Sequence, residues 1–450
     1  MNQSADTITA IATPPGKGAV AIVRISGPEA EAISRAITSV APRERQARLC
    51  RFIGADGGDI DQGLMLFFPG PRSFTGEDVV ELHGHGGTVV SDSLLAAVLE
   101  RGARLAEPGE FALRAFLNNK LDLAQAEAIA DLIDSGSQLA ARAALRSLEG
   151  RFSDQVHALQ ASLTQLRVQI EAWLDFPDEE LDLDDIVQLT SRFDSTRSQL
   201  DSLLASARQG AVLRSGLSVV IAGPPNAGKS SLMNQLAGYD AAIVTHIPGT
   251  TRDPLKEHIS LDGLPINLVD TAGLRESSDL VESEGIRRSS AAVRRADRLL
   301  WVVDIEAKLA VVAAEINREF TDGPEATIIQ NKLDLVDEVP REQEIAGMPV
   351  ISLSALTGEG LPLLIAHLKR LAGFTDTGGG TVSARTRHID GLKRARDSLQ
   401  RARTQLVDSR ALELAAEELR GAQVALSEIT GELTSDDLLG EIFGSFCIGK

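Results

Sequence analysis

Two periodicities alternate along this chain, and their order predicts its architecture. Short apolar runs rich in valine and isoleucine, bounded by glycine, proline or polar residues, read as strands. Near the start these are 7–12, 20–25, 63–68 and 79–83, with helices expected over 29–37 and 91–101. Turn signals stand at Pro14-Pro15-Gly16 and Pro69-Gly70-Pro71. From Leu121 the period becomes helical. Leu145, Leu148, Phe152, Val156, Leu159, Leu163, Leu166, Ile170 and Trp173 follow at steps of three or four, the stripe of one long bundle helix. The acidic stretch 175–185, carrying Pro177, reads as a solvated connection, and a further helix is expected over 185–208. Strand runs return at 217–223, 265–269, 326–330 and 350–353. Past a flexible linker at Thr377-Gly378-Gly379-Gly380, helices are expected over 388–408 and 411–429.

The expected fold class is therefore multidomain α/β and α. An N-terminal α+β domain (1–118) precedes a helical bundle in two pieces (119–214 and 377–450), with a Ras-like P-loop domain (215–376) inserted between them. Insertion fits because domain termini usually lie close together.

One stretch brings chemistry into this pattern. Between the strand at 217–223 and a helix from Lys229, Gly223-Pro224-Pro225-Asn226-Ala227-Gly228-Lys229-Ser230 fits G-x-x-x-x-G-K-[ST] in full. Glycines let backbone N–H groups turn inward around a polyphosphate, and the helix N-terminus adds partial positive charge. Lys229 would reach the β and γ phosphates and the Ser230 hydroxyl would ligate magnesium, with Asn226, Ala227, Gly228 and Ser231 completing the cradle. Next comes Asp270-Thr271-Ala272-Gly273 at a strand end, a carboxylate for water-held magnesium and an amide to sense the γ-phosphate. Asn331-Lys332-Leu333-Asp334 follows; a buried Asp334 carboxylate would accept from guanine N1–H and the exocyclic amine, a pair that adenine lacks. Ser354-Ala355 would offer a backbone amide to guanine O6. In this order the motifs specify GTP.

Cleavage is less direct. Within 240–253, Thr251 is either the second magnesium ligand or part of a hydroxyl-rich turn. Leu274 stands where Ras-like enzymes carry a water-orienting glutamine, so another group is needed. Glu282 is either that acid or a carboxylate complementing a helix start.

Composition narrows the partners. A formal net charge of −19 over 450 residues repels nucleic acid and acidic membranes as a whole, so any RNA contact needs a local basic patch. The segment Arg385 to Arg403 is the most basic in the chain, as a solvated helix face or as an RNA-facing patch. Two cysteines, Cys50 and Cys447, are too few for a disulfide framework and suit a reducing cytosol. No basic-then-apolar leader and no spanning apolar run stand out, so a soluble, cytoplasmic protein without membrane contact is expected. His83 and His85 share a strand face but lack a third metal ligand at a recognisable spacing. The terminal Phe443-Gly444-Ser445-Phe446-Cys447-Ile448-Gly449-Lys450 is either a frayed tail or a reactive-cysteine motif.

Assembled, these pieces resemble the MnmE (TrmE) family of tRNA modification GTPases. The likeness rests on Thr13-Pro14-Pro15-Gly16, Val23-Arg24-Ile25-Ser26-Gly27, Glu81-Leu82-His83-Gly84-His85-Gly86-Gly87, Gly109-Glu110-Phe111, the run Arg114 to Asp134, the P-loop domain and Phe446-Cys447-Ile448-Gly449-Lys450. The resemblance implies a homodimer formed through N-terminal domains that bind a tetrahydrofolate derivative, of 5,10-methylene or 5-formyl type, through Arg24, Glu81, Lys120 and Lys450. It implies potassium near Asn226 and at Thr245, Ile247 and Thr250, in a loop that also carries His246, Pro248 and Gly249. It assigns Glu282 to water positioning and gives Cys447 a function, and it implies that the G domains dimerise across their nucleotide faces. The implied partner is an FAD-dependent enzyme, in a heterotetramer. With it the family adds an aminomethyl-type group, such as carboxymethylaminomethyl, to C5 of the wobble uridine at tRNA position 34, using the folate carbon. Leu356, where many GTPases place lysine, and Pro248, which stiffens the potassium loop, are departures. The rival expectation is a GTP-dependent RNA or ribosome assembly switch without folate chemistry. The acidic balance and the absence of a recognisable RNA-binding module speak against it.

Overall fold

The computed structural model describes residues 6–176, 183–239, 256–270, 296–320, 323–374, 381–433 and 436–449. It divides into two compact units, 1–130 with 424–450, and 131–423.

The first unit begins with β1 (Ile8–Ile11), β2 (Val20–Ser26), α1 (Ala30–Thr38), β3 (Arg48–Ile53), β4 (Asp59–Phe68), β5 (Val79–His85), α2 (Thr88–Leu99), β6 (Arg104–Leu105) and α3 (Glu110–Leu117). The strands form one sheet in the order β3-β4-β5-β2-β1-β6, antiparallel except where β6 joins β1. Strand alternation divides its faces. Val23 and Ile25 of β2 and Leu82 of β5 pack with Ile33, Ile37, Leu94 and Val98 of the two helices. Arg24 and Glu81 are register partners, so both side chains leave the opposite face together. Two strands of this sheet were not legible in the sequence. β3 carries Arg48 and Arg51 and leaves Leu49 67% exposed, an edge strand without an apolar run, and β6 has only two residues.

α4 (Leu123–Ile133) leads into the second unit, which continues with α5 (Gln138–Leu148), α6 (Arg151–Asp175) and α7 (Leu183–Ser215). The expected single helix along 145–173 is in fact two. Gly150, at φ 89°, lies in the left-handed region that glycine tolerates; α5 stops before it and α6 starts after it. The stripe from Phe152 to Ile170 is buried on α6 as its spacing implies, whereas Leu145 is 45% exposed.

The second sheet follows: β7 (Leu217–Ala222), α8 (Lys229–Gly238), β8 (Lys256–Leu261), β9 (Leu264–Asp270), β10 (Arg298–Asp304), α9 (Leu309–Glu319), β11 (Ala326–Asn331), β12 (Arg341–Ile345), β13 (Met348–Ser352) and α10 (Leu361–Leu371). Its order is β12-β13-β11-β10-β7-β9-β8, with β8 and β12 the antiparallel edge strands. Val219, Val220 and Ile221 of β7 are fully buried, as a parallel strand covered on both faces requires. Helices α11 (Thr386–Val407) and α12 (Leu412–Thr430) come after the sheet.

The chain enters and leaves that sheet at one tight crossing. A Cβ added to Gly210 of α7 would stand 1.7 Å from the Val382 carbonyl oxygen, so the incoming helix and the outgoing segment touch backbone to backbone. The Asp131 carboxylate closes the crossing: Oδ1 accepts from Arg214 Nε (2.8 Å) and an Arg385 guanidinium N–H (2.9 Å), and Oδ2 accepts from Ser383 Oγ (2.7 Å).

The last helix, α13 (Asp436–Gly444), belongs to the first unit. Leu439, Ile442, Phe443 and Phe446 pack there with Ala112, Leu123 and Ala126. A frayed tail is therefore excluded at least through Phe446, which is 5% exposed.

Candidate nucleotide and small-molecule sites

The nucleotide motifs converge at the ends of the parallel strands of the second sheet, the edge where open α/β sheets bind ligands. β7 runs into the glycine loop, and α8 starts at Lys229 with Gly228 at φ 94°. A Cβ on Gly228 would lie 2.1 Å from Asn331 Nδ2, and one on Gly223 would lie 2.1 Å from the Val302 carbonyl, so both positions exclude side chains. Asn331, last residue of β11, bridges two motifs: Nδ2 donates to the Ala227 carbonyl (2.8 Å) and Oδ1 accepts from the Ala355 N–H (2.8 Å). Ser354 Oγ donates to Asp334, fixing one carboxylate oxygen, while Lys332 pairs with Asp304 of β10. That ammonium holds the Asp304 carboxyl below its ordinary value. Lys229 Nζ donates to the loop's own Gly223 and Pro224 carbonyls (3.1 and 2.8 Å). Ser230 and Ser231 are exposed on the first turn of α8, Asn226 sits in the loop at φ 61°, and Asp270 ends β9.

Two expectations change here. Asp334 is exposed rather than buried, so any burial of its carboxylate has to come from a base lying on it. The Ala355 amide is already committed to Asn331, so a guanine oxygen would have to share it. Asp304 is the residue missed in the sequence; it lies on a strand that was not read, and only its pairing with Lys332 reveals it.

The second site is on the open face of the first sheet. Arg24 Nε donates to Glu81 Oε1 (3.0 Å), and His83 Nε2 lies 3.1 Å from Oε2. The hydrogen bond from His83, and then the charge of Arg24, hold the Glu81 carboxyl below its usual range against the opposing effect of burial. The Arg24 guanidinium is 5.7 Å from the ring centres of both Phe74 and Phe111. Beside this pair opens a cavity of about 320 Å³ lined by Arg24, Arg45, Phe68, Arg72, Phe74 and Glu81 among others. Lys120 is exposed against Gly76, in the loop that also places Phe74. The exposed Cys447 is tied back through its carbonyl, which accepts from the Gly109 N–H (3.4 Å), two residues before Phe111.

Two family models match consecutive stretches: residues 7–120 fit the GTP-binding protein TrmE N-terminus and residues 123–447 the MnmE helical domain. A protein of Nitrosococcus oceani is 54% identical over 446 residues, covering 99% of this chain and 97% of its own. One of Stutzerimonas stutzeri is 54% identical over 450 residues, covering 99% of each. Both carry the name tRNA modification GTPase MnmE. This chain belongs to the MnmE family.

Within that family frame, some candidate residues lie outside the described ones: Thr245, His246, Ile247, Pro248, Gly249, Thr250, Thr251, Thr271, Ala272, Gly273, Glu282 and Lys450. His83 serves Glu81, His85 Nδ1 serves Asp61 (2.8 Å), and no metal-binding cluster occurs among the described residues. The basic segment is largely spent on carboxylates, with Arg385 on Asp131, Arg401 on Glu418 and Arg403 on Asp194. It reads as an ion-paired helix rather than a free patch for RNA. Among the described residues, no helix is long and apolar enough to cross a membrane.

Proposed function

We propose that this chain is a cytoplasmic, potassium-activated GTP hydrolase that acts in tRNA modification. It works as a homodimer with an FAD-dependent partner on the wobble uridine at position 34, drawing a one-carbon unit from a tetrahydrofolate derivative. The observation that carries the nucleotide half is the pair of hydrogen bonds by which the Asn331 side chain joins the phosphate loop to Ala355, with Ser354 holding Asp334 beside it. One side chain thereby fixes the distance between the phosphate cradle and the carboxylate that would read guanine. The narrow glycine cradle suits a polyphosphate. Lys229 would exchange two loop carbonyls for phosphate oxygens, so its charge is held in place beforehand. Magnesium, held by Ser230 with Thr251, would neutralise phosphate charge. Asn226 is the described member of the potassium set, and Glu282 would orient water.

The Arg24–Glu81 pocket supports the folate half. The carboxylate presents acceptors to a pterin's amide and amine edge, Arg24 presents donors, and the cavity has room for a bicyclic head. Lys120, Lys450 and Cys447 complete this reading.

Purified protein should hydrolyse GTP at least tenfold faster in potassium than in sodium chloride; equal initial rates would remove the potassium claim. Cys447→Ser should keep that rate while tRNA digests lose the modified uridine.

A further inference from the structure

The cavity at Arg24 has two electrically different ends. Its inner end is balanced: Arg24 and Glu81 are paired, with side chains 23% and 17% exposed. Its outer end carries Arg45 and Arg72, 51% and 73% exposed, which share one acid, Glu44, at 4.0 and 3.0 Å. That leaves one positive charge uncompensated in a chain of net −19.

The outer arginines are also placed. Arg45 sits at φ 53°, a left-handed conformation unfavourable for a residue with a Cβ. Its N–H donates to the Phe67 carbonyl (2.8 Å), its guanidinium lies 5.5 Å from the Phe68 ring centre, and it also donates to the Arg72 carbonyl. Strained backbone, ring and hydrogen bond together fix a charge that an ordinary surface arginine would leave to solvent.

Building on the folate reading, we propose that this pocket takes its ligand as a poly-γ-glutamyl form, and that Arg45 and Arg72 bind carboxylates of the glutamate tail. The heterocycle enters first, because only the inner end offers both acceptor and donor edges out of water. The tail then leaves past the outer arginines, whose forks match carboxylate geometry. Arg45 and Arg72 thus select tail length and leave recognition of the head to Arg24 and Glu81.

The test is equilibrium titration of the full-length protein with 5-formyltetrahydrofolate carrying one or three glutamates. Exposed pairs of this kind contribute modestly, so the triglutamate should bind about tenfold tighter in low salt, the advantage shrinking several-fold in 0.5 M salt. Arg45→Gln with Arg72→Gln should level the two ligands, with the triglutamate losing its roughly tenfold advantage and the monoglutamate, which offers a single glutamate, weakening less. Arg72→Gln alone, which keeps the carbonyl that Arg45 uses, should remove part of the advantage and covers the case in which the double variant misfolds. Equal binding of both ligands by the parental protein, or an advantage that survives the double variant, overturns the proposal while leaving the folate reading intact. Failure of both ligands to bind overturns the folate reading and this proposal with it.

Discussion

The nucleotide site and the N-terminal pocket are built in opposite ways. The first is mostly backbone: a glycine cradle, a helix start, and motifs each contiguous in sequence at a strand end. Its lysine is folded onto its own loop, donating to Gly223 and Pro224. The second is all side chain. Arg24 and Glu81, 57 residues apart, meet because β2 and β5 pair in one register. A site made of backbone advertises itself through glycines and spacing. A site made by strand register leaves no local trace, since a one-residue slip would send Glu81 to the other face.

The sharpest way to break this comparison is to disable each site alone. Lys229→Ala should lower GTP turnover by at least ~100-fold, the scale for losing a preorganised charge on a phosphate, with reduced-folate binding unchanged. Glu81→Gln should do the converse. It removes the ionic partner of Arg24 and should weaken reduced-folate binding about thirtyfold, with hydrolysis untouched. If either variant damages both activities, the two sites are not independent.

The same contrast explains what the sequence could reveal. The strands at 217, 264, 326 and 348 were legible as apolar runs, because parallel strands are covered on both faces, although β10, parallel and as apolar, was not. The pocket's Phe74, Arg45 and Arg72, and the buried Phe111 beside Arg24, were not, since they come from loops and a helix joined only by tertiary packing. Only family likeness gave Arg24 and Glu81 a shared role. Gly150 was legible in principle, but a periodic stripe that continues across it gave no sign that the chain turns there.

A finer probe addresses base recognition. Asp334→Asn replaces an acceptor with a carboxamide that can donate, so GTP should bind roughly 100-fold more weakly and xanthosine triphosphate should gain. Competition binding with the two nucleotides reads this directly. Unchanged preference would mean that the exposed Asp334 carboxylate does not meet the base.

Next in size is the crossing that holds the second sheet to its helices. Asp131, with a side chain 6% exposed, carries Arg214, Arg385 and Ser383 from both sides of that crossing. Asp131→Asn should destabilise the second unit by about 2 kcal/mol, less than the full cost of breaking a buried pair because Arg214 is partly solvated. For a unit of this size that lowers its calorimetric midpoint by ~3 °C. The first unit, and with it reduced-folate binding, should not move.

The smallest expected effect separates the two units by pH. In the second, His367 is 3% exposed, with Nε2 3.0 Å from Thr327 Oγ1 and Nδ1 2.9 Å from Glu342 Oε1. Burial, helped by the nearby Arg370 and Arg298 charges, pulls its pKa below the ordinary 6.5, although Glu342 opposes this. The unfolded chain then binds the proton more readily than the folded one. Stability is thus full above about 6.5 and declines as pH falls toward the folded value. In the first unit the depressed groups among the described residues are carboxylates, Asp61 and Glu110 among them, and Glu81, with an ordinary value of 4.5, is typical. Its contribution is full above 4.5 and is lost only as pH falls through the lower, folded value. Scanning calorimetry between pH 7.5 and 5.5 should therefore lower the midpoint of the second unit while the first stays put, and His367→Gln should flatten that slope. Parallel slopes for both units would mean that the His367 ring takes up its proton without leaving the fold.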